Sequence, residues 1–417
     1  MNIFKRSSVY LISNILNAIV PFVLLPVLTF YLSPDEYGQI AMFQTLVTGL
    51  AALTGLNTVG AANRKFYDKN NAASLAIFNG ACVYILLFSS LILWFICFWK
   101  SKEISSWLNI PIAWIYFSVV ISSANYLIQF RLGQWQIREK AISFGLMQVS
   151  QSVLVLILSL FLIVGLQLGT SGRIHALLAT SVIYAVFSLF LLYRDKLCSM
   201  FPLRISDVKE AVSFGVPLIP HVVGIFFLSS IDRFLINEKL GVAEAGIYML
   251  AVQLSLGIAV IFDAINKALI PWLFRALTLN DPNQLRLLIR FTYAFFIIVL
   301  GAGVASFIVG PWVVSLVASD KYLRASEVIG WLCLGQGFGG MYLMVTNYIF
   351  YAKKTAQLSM ITISTGLINI LLLLYLIEER GIVGVAIAFS ISMFIRFIAT
   401  WWLASRVSSI SWRISFW

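Results

Sequence analysis

The sequence predicts an all-α polytopic membrane protein of about twelve transmembrane helices, and three observations predict it. The 417 residues are 60% hydrophobic and only 11% charged, with a mean hydropathy of +0.93. A soluble domain averages roughly half apolar residues and about a quarter charged ones. Twelve crossings of about twenty residues each use roughly 240 residues, which matches the apolar share and leaves loops too short for a separate soluble domain. Charged residues are costly at the bilayer centre, and here they fall at intervals that leave twelve charge-free windows. A soluble enzyme is excluded by these figures. So are disordered and collagen-like chains, because the apolar share is too high and the glycines have no period.

In chain order the windows are 7–34, 37–63, 70–99, 104–130, 141–172, 174–193, 211–231, 245–262, 291–319, 328–352, 355–377 and 381–395. The first is too long for a signal-peptide core and lacks a clear small-residue cleavage site, so it is expected to be retained as a helix. The eighth is short and is expected to continue through Asp263 towards Lys267. The last holds only fifteen residues, so a full crossing there must take in Arg396. A β-barrel is the rival architecture, but its strands alternate polar and apolar residues, and runs such as LILWFICFW (91–99) and INILLLLYLI (368–377) do not. Cys82, Cys97, Cys198 and Cys333 have no paired spacing and read as small packing residues, and no metal-ligand constellation occurs.

Orientation follows from the basic residues. With the N-terminus inside, 21 of the 29 Lys and Arg residues fall in inside segments. Only eight, namely Lys100, Lys102, Arg173, Arg233, Lys239, Lys321, Arg324 and Arg380, fall in outside loops. Both termini are therefore expected to be cytoplasmic. The bias accounts for most of the net charge of +12. Because the cations are spread over several loops, no nucleic-acid partner is expected.

The two halves resemble each other. LSPDEYG (32–38) and LGVAEAG (240–246) share Leu, Glu and Gly at an offset of 208, and 172–194 echoes 381–402. Six spans per repeat place both halves in the same sense, with a substrate site expected between them. The charged stretch at roughly 194–211 is the expected connector, giving a first bundle over 1–200 and a second over 201–417.

The second half opens with KEAVSFGVPLIPHVVGIFFLSSIDRFLINEKLGVAEAGIYMLAVQL (209–254). It resembles the hallmark of bacterial Wzx-type polysaccharide flippases, in the multidrug/oligosaccharidyl-lipid/polysaccharide exporter superfamily. The matching positions are Gly215 and Pro217, Asp232 and Arg233, and Gly246, Ile247 and Tyr248. In the first half, a helix bearing Pro21 and Pro26, then YLSPDEYG (31–38) and QWQIREKA (134–141), are similar to the family's N-terminal pattern. The resemblance implies a MATE-like fold and an O-antigen or similar repeat unit on undecaprenyl pyrophosphate. That unit would move from the cytoplasmic to the periplasmic leaflet of the inner membrane. It further suggests membrane lipids, H+ or Na+, a glycan polymerase and a chain-length regulator as partners, with no cofactor.

A doubly anionic pyrophosphate calls for cations inside the membrane. Lys267 and Asp263 stand four apart on one helix face and are placed to pair, either as a substrate and coupling site or as a neutral lock between helices. Arg396 interrupts the last span, where a guanidinium suits phosphate oxygens, with snorkelling to the surface as the alternative. Asp232 and Arg233, at the outer end of span seven, read as an interfacial ion pair with a gating role or as a substrate contact. Arg64 closes span two where an incoming pyrophosphate would arrive, or simply obeys the positive-inside bias. His221 follows Pro217 and Pro220 near the middle of span seven, and is a candidate proton carrier beside a proline-broken helix or a hydrogen-bonded packing residue. Pro21 and Pro26 are expected to bend span one. Twelve amides lie inside spans, among them Asn17, Gln129, Gln148, Gln151, Asn347 and Asn369. Each reads as helix glue, and together they suggest a wet cavity.

Two other functions compete. A small-molecule antiporter of the multidrug-extrusion kind would favour an acidic cavity, whereas the charges here lean basic. A membrane-bound glycan polymerase or ligase needs a sizeable outer loop with clustered catalytic residues, and the outer loops are short. No Gly-rich phosphate loop occurs, so direct use of ATP is not indicated.

Overall fold

The structure, a computed structural model, describes residues 3–68, 72–279, 281–352, 354–408 and 412. Of the basic residues counted above, Lys69, Lys353 and Arg413 lie outside this set. The described residues form helices joined by short turns, with no strand among them. The chain divides into two compact units, Met1–Val223 and Gly224–Trp417.

In the first unit, α1 (Ile3–Tyr31) runs on through Pro21 and Pro26 without interruption. The interruption falls one span later. α2 (Pro34–Ala51) begins with a capping box in which Glu36 N donates to Ser33 Oγ at 3.3 Å and Ser33 N donates to Glu36 Oε2 at 2.9 Å. It is then bent by 53° from the segment that ends in α3 (Thr58–Lys65). Gly55, Leu56 and Asn57 all have positive φ there. Only glycine fits the first of these positions, because a Cβ on Gly55 would stand 2.1 Å from the Tyr126 ring.

The unit continues with α4 (Ala72–Trp99), the short surface helix α5 (Ser101–Leu108), α6 (Ile112–Ile137), α7 (Ala141–Leu160) and α8 (Gly169–Arg194). α1 packs on α7, and α6 packs against α2, α4 and α8. α9 (Ile205–Gly215) packs on α3 and α4, so this first piece of the expected second half belongs to the first unit. A 3₁₀ turn over Val216–Leu218 places Pro217 at its start, and α10 (Ile219–Ser229) follows with Pro220 in its first turn. Pro217 and Pro220 thus sit where the α-helix is interrupted, and Pro21 and Pro26 do not.

In the second unit, α11 (Ile231–Leu240), α12 (Val242–Leu279), α13 (Pro282–Val317), α14 (Ser326–Tyr351) and α15 (Thr355–Val407) follow. α14 is the centre, packed by α12, α13 and α15, and its buried face is rich in glycine and small residues. The core is aromatic, built on Phe262, Phe295, Phe296, Phe397 and Tyr348. α15 has 53 residues, and an unbroken helix of that length would span about 80 Å, far more than a bilayer. Gly381, at φ 57° and ψ −139°, breaks it into two membrane-length pieces.

Ten helices among the described residues are long and apolar enough to cross a membrane, and the bent α2–α3 pair is an eleventh candidate. Counting the two pieces of α15 separately brings the crossing-length segments to twelve. The expected polytopic helical class is therefore observed. The boundary at Arg173 is corrected. Arg173, expected in an outside loop, lies one turn inside α8 and is buried. α7 ends in a π-helical turn over Phe161–Gly165 and α8 begins at Gly169, so the connection falls before the arginine.

Candidate functional site

Within the second unit, Asp232 and Arg233 open α11 and are almost fully buried. The Asp232 carboxylate accepts a hydrogen bond from the Arg233 backbone N–H at 2.8 Å. Tyr248 of α12, fully buried, brings its hydroxyl against Asp232 without closing a well-formed hydrogen bond. Two stretches fifteen residues apart, the Asp-Arg pair and the Gly-Ile-Tyr turn, thus meet in one buried cluster where α11 packs on α12. The pair is thus enclosed by protein rather than exposed on its surface. Arg233 Nε has no hydrogen-bond partner among the described residues.

Further along α12, Lys267 Nζ lies 2.5 Å from Asp263 Oδ2, with both side chains roughly half exposed. The i,i+4 spacing on a continuous helix brings them together, as the spacing predicts. On the second piece of α15, the Arg396 guanidinium stacks over the Tyr342 ring of α14 at 3.8 Å. Its Nε is buried and has no hydrogen-bond partner among the described residues. A guanidinium stacked in this way keeps its charge and a fixed orientation. Two of the candidate amides act as glue in this unit. Asn347 donates to Asn266 at 2.7 Å, and Asn369 donates to the Phe227 carbonyl at 2.9 Å.

In the first unit, Arg64 is exposed at the end of α3 and faces the Phe214 ring at 5.7 Å. It lines a cleft of about 320 Å³ with Lys65, Asp68, Phe78, Glu210 and Phe214. Lys65 Nζ pairs with Glu210 Oε1 at 2.7 Å, tying α3 to α9. Arg64 is the cation of this cleft without an ion pair among the described residues. His221 is half-buried in α10, close after the 3₁₀ turn.

A polar network centred on Arg131 and Arg138, both expected in an inside loop, also appears in this unit. Arg131 of α6 is fully buried, its guanidinium over the Trp135 ring at 4.3 Å and ion-paired with Asp195 at the end of α8. Arg138 Nη1 donates to Gln134 Oε1 at 2.6 Å. Gln134 Nε2 donates to Asn63 at 3.3 Å, and Asn79 donates to the Leu197 carbonyl at 2.7 Å. Asp195 lies just beyond its span. Burial pushes its carboxyl up, but the Arg131 hydrogen bond and charge prevail and hold it below the usual carboxylate range. The one sequence signal was an arginine spaced four residues before a tryptophan, and it does not name Asp195 as the partner.

Two units of membrane-length helices, a bent second span and buried cations define the class. The chain has the fold of the flippases and multidrug transporters to which solved structures liken it. The lipid II flippase MurJ in an inward closed conformation aligns with a TM-score of 0.78 at 14% identity, over 96% of this chain and 87% of that one. An inward-facing MATE family multidrug resistance transporter of the MOP superfamily aligns at 0.74 and 15% identity, over 96% and 98%. Residues 3–277 match the polysaccharide biosynthesis protein family, and the chain belongs to that family. Lsg locus putative protein 1 of Haemophilus influenzae is 26% identical over 92% of this chain and 95% of its own length. A putative O-antigen transporter of Shigella flexneri is 20% identical over 43% of each.

Proposed function

We propose that the protein is a flippase for an oligosaccharide repeat unit carried on undecaprenyl pyrophosphate. It moves the unit from the cytoplasmic to the periplasmic leaflet of the inner membrane by alternating access of its two halves. Both termini are cytoplasmic in this reading, as the distribution of basic residues favours. Family membership supports the polysaccharide pathway. The observation that carries the reading to a lipid-linked anion is the held cation Arg396, stacked on Tyr342 with Nε unpartnered among the described residues, in a chain with this fold.

Lys267, Arg396, Arg64 and Arg233 are the proposed contacts of the anionic carrier. Asp263, Asp232 and His221 are the proposed coupling and gating groups, with H+ or Na+ as the ion. The Lys267–Asp263 pair gives coupling a simple form. In this form a cation bound at Asp263 frees the Lys267 charge for the pyrophosphate, and release of the cation recaptures it. The antiporter reading is disfavoured because Asp263 is engaged by Lys267 and Asp232 by a backbone N–H.

The test is surface-polysaccharide export in cells carrying the Lys267→Ala, Arg396→Ala double variant at wild-type protein level. Export is expected to fall at least tenfold, while Lys267→Arg retains part of it. Wild-type export by the double variant would refute the assignment of these two cations.

A further inference from the structure

A second cleft lies wholly inside the first unit, bounded by α1, α6, α7 and α8. Its volume is about 270 Å³, and its polar lining includes Asn17, Gln129, Gln148, Gln151, Ser152 and Arg173. Arg173 is only 7% exposed. Its Nη1 donates to Ser159 Oγ at 2.6 Å, and its Nε has no hydrogen-bond partner among the described residues. No carboxylate among the described residues pairs with it. A buried guanidinium without a counter-charge is strongly penalised, so a fold that keeps one offers a place for an anion.

The lining says which kind. Gln148 Oε1 is also buried without a partner among the described residues, and it requires a donor. Ser152 already donates to Asn17 Oδ1, leaving the Asn17 amide N–H groups as donors. The cleft therefore presents both unsatisfied donors and an unsatisfied acceptor. A halide offers acceptance only, and would fill little of a space equal to about nine water molecules. A sugar ring bearing a carboxylate supplies two anionic oxygens for the guanidinium fork. Its hydroxyls both donate to and accept from amides.

We infer that this cleft is a subsite for one acidic sugar residue, of the hexuronic acid type, in the transported oligosaccharide. The inference rests on the glycan-flippase reading and names a substrate class within it. Arg173 recognises the carboxylate, and the amides of α1, α6 and α7 read the hydroxyls.

The test uses the full-length protein, purified in detergent, with thermal stability measured in glucuronate, glucose or sodium chloride at matched ionic strength. Glucuronate is expected to raise the Tm by several degrees more than glucose or chloride. Arg173→Met should abolish that difference and Arg173→Lys should keep part of it. Because Arg173→Met also cuts the Ser159 hydrogen bond, Gln148→Leu provides a second variant that leaves this bond intact, and it too should lose most of the glucuronate response. An equal shift with chloride would reduce the site to a small-anion site and overturn the proposal. So would an equal shift with glucose, or a glucuronate response unchanged in both variants. Loss of surface polysaccharide on gene deletion, together with no glucuronate response, would overturn the subsite alone and leave the transport reading standing.

Discussion

Gly55 carries the bend of the second span through a single missing methyl group. Its φ of +64° is left-handed, and the Tyr126 ring occupies the place of a Cβ. Tyr126 is held there by a 2.5 Å hydrogen bond between its hydroxyl and Thr58. Gly55→Ala should cost about 1–2 kcal/mol for the left-handed backbone alone, with the clash in addition, read as a lowered Tm of the purified protein. Asp195 tests the buried network in the same way. Breaking a buried pair by removing one partner costs about 3–5 kcal/mol, so Asp195→Ala should destabilise strongly, and adding Arg131→Met should restore much of the loss. The sign with pH follows from the lowered carboxyl of Asp195. Its contribution is complete above the ordinary aspartate range and is lost as pH falls through the lower folded-state value. Stability curves of wild type and Asp195→Ala should therefore converge on acidification.

Whole elements show what the sequence made legible. The runs of apolar residues locate the spans because a bilayer tolerates little else. The Asp263–Lys267 pair is legible because one helix places positions i and i+4 together. Arg173 was not legible as a span residue because a charge ordinarily marks a span boundary, and that rule fails where a neighbouring helix supplies a partner such as Ser159. Arg131 and Asp195 lie 64 positions apart, a pairing that only packing of α6 against α8 creates. The prolines show a similar limit. Pro217 interrupts its helix and Pro21 does not, although both follow apolar runs. Gly381 gives an element-scale prediction. No atom crowds it closely, since the nearest neighbour of an added Cβ is Leu240 at 3.9 Å. Gly381→Ala therefore acts through the backbone, at a cost of about 1–3 kcal/mol, and its Tm should fall less than that of Gly55→Ala.

At the scale of the molecule, each unit reuses one pattern. Glu36 stands third in α2 and Glu244 third in α12, at the offset the repeat predicts. Glu36 accepts from the Ser33 backbone N–H, whereas Glu244 pairs with Arg324. The same acid at a helix N-terminus has thus been turned to two uses. The units differ more in their cations. The first buries Arg131 and Arg173 within itself, while the second buries Arg233 beside Asp232, leaves Lys267 half exposed and stacks Arg396 on an aromatic ring. In the proposed reading, Arg173 of the first unit meets the glycan, while Lys267, Arg396 and Arg233 of the second unit and Arg64 of the first meet the pyrophosphate.

The most direct test of the central claim is deletion of the gene, followed by analysis of surface polysaccharide and of lipid-linked oligosaccharide by leaflet. The flippase reading predicts loss of the surface polysaccharide, with undecaprenyl-linked repeat units accumulating on the cytoplasmic side. Unchanged surface polysaccharide accompanied by altered drug tolerance would contradict it.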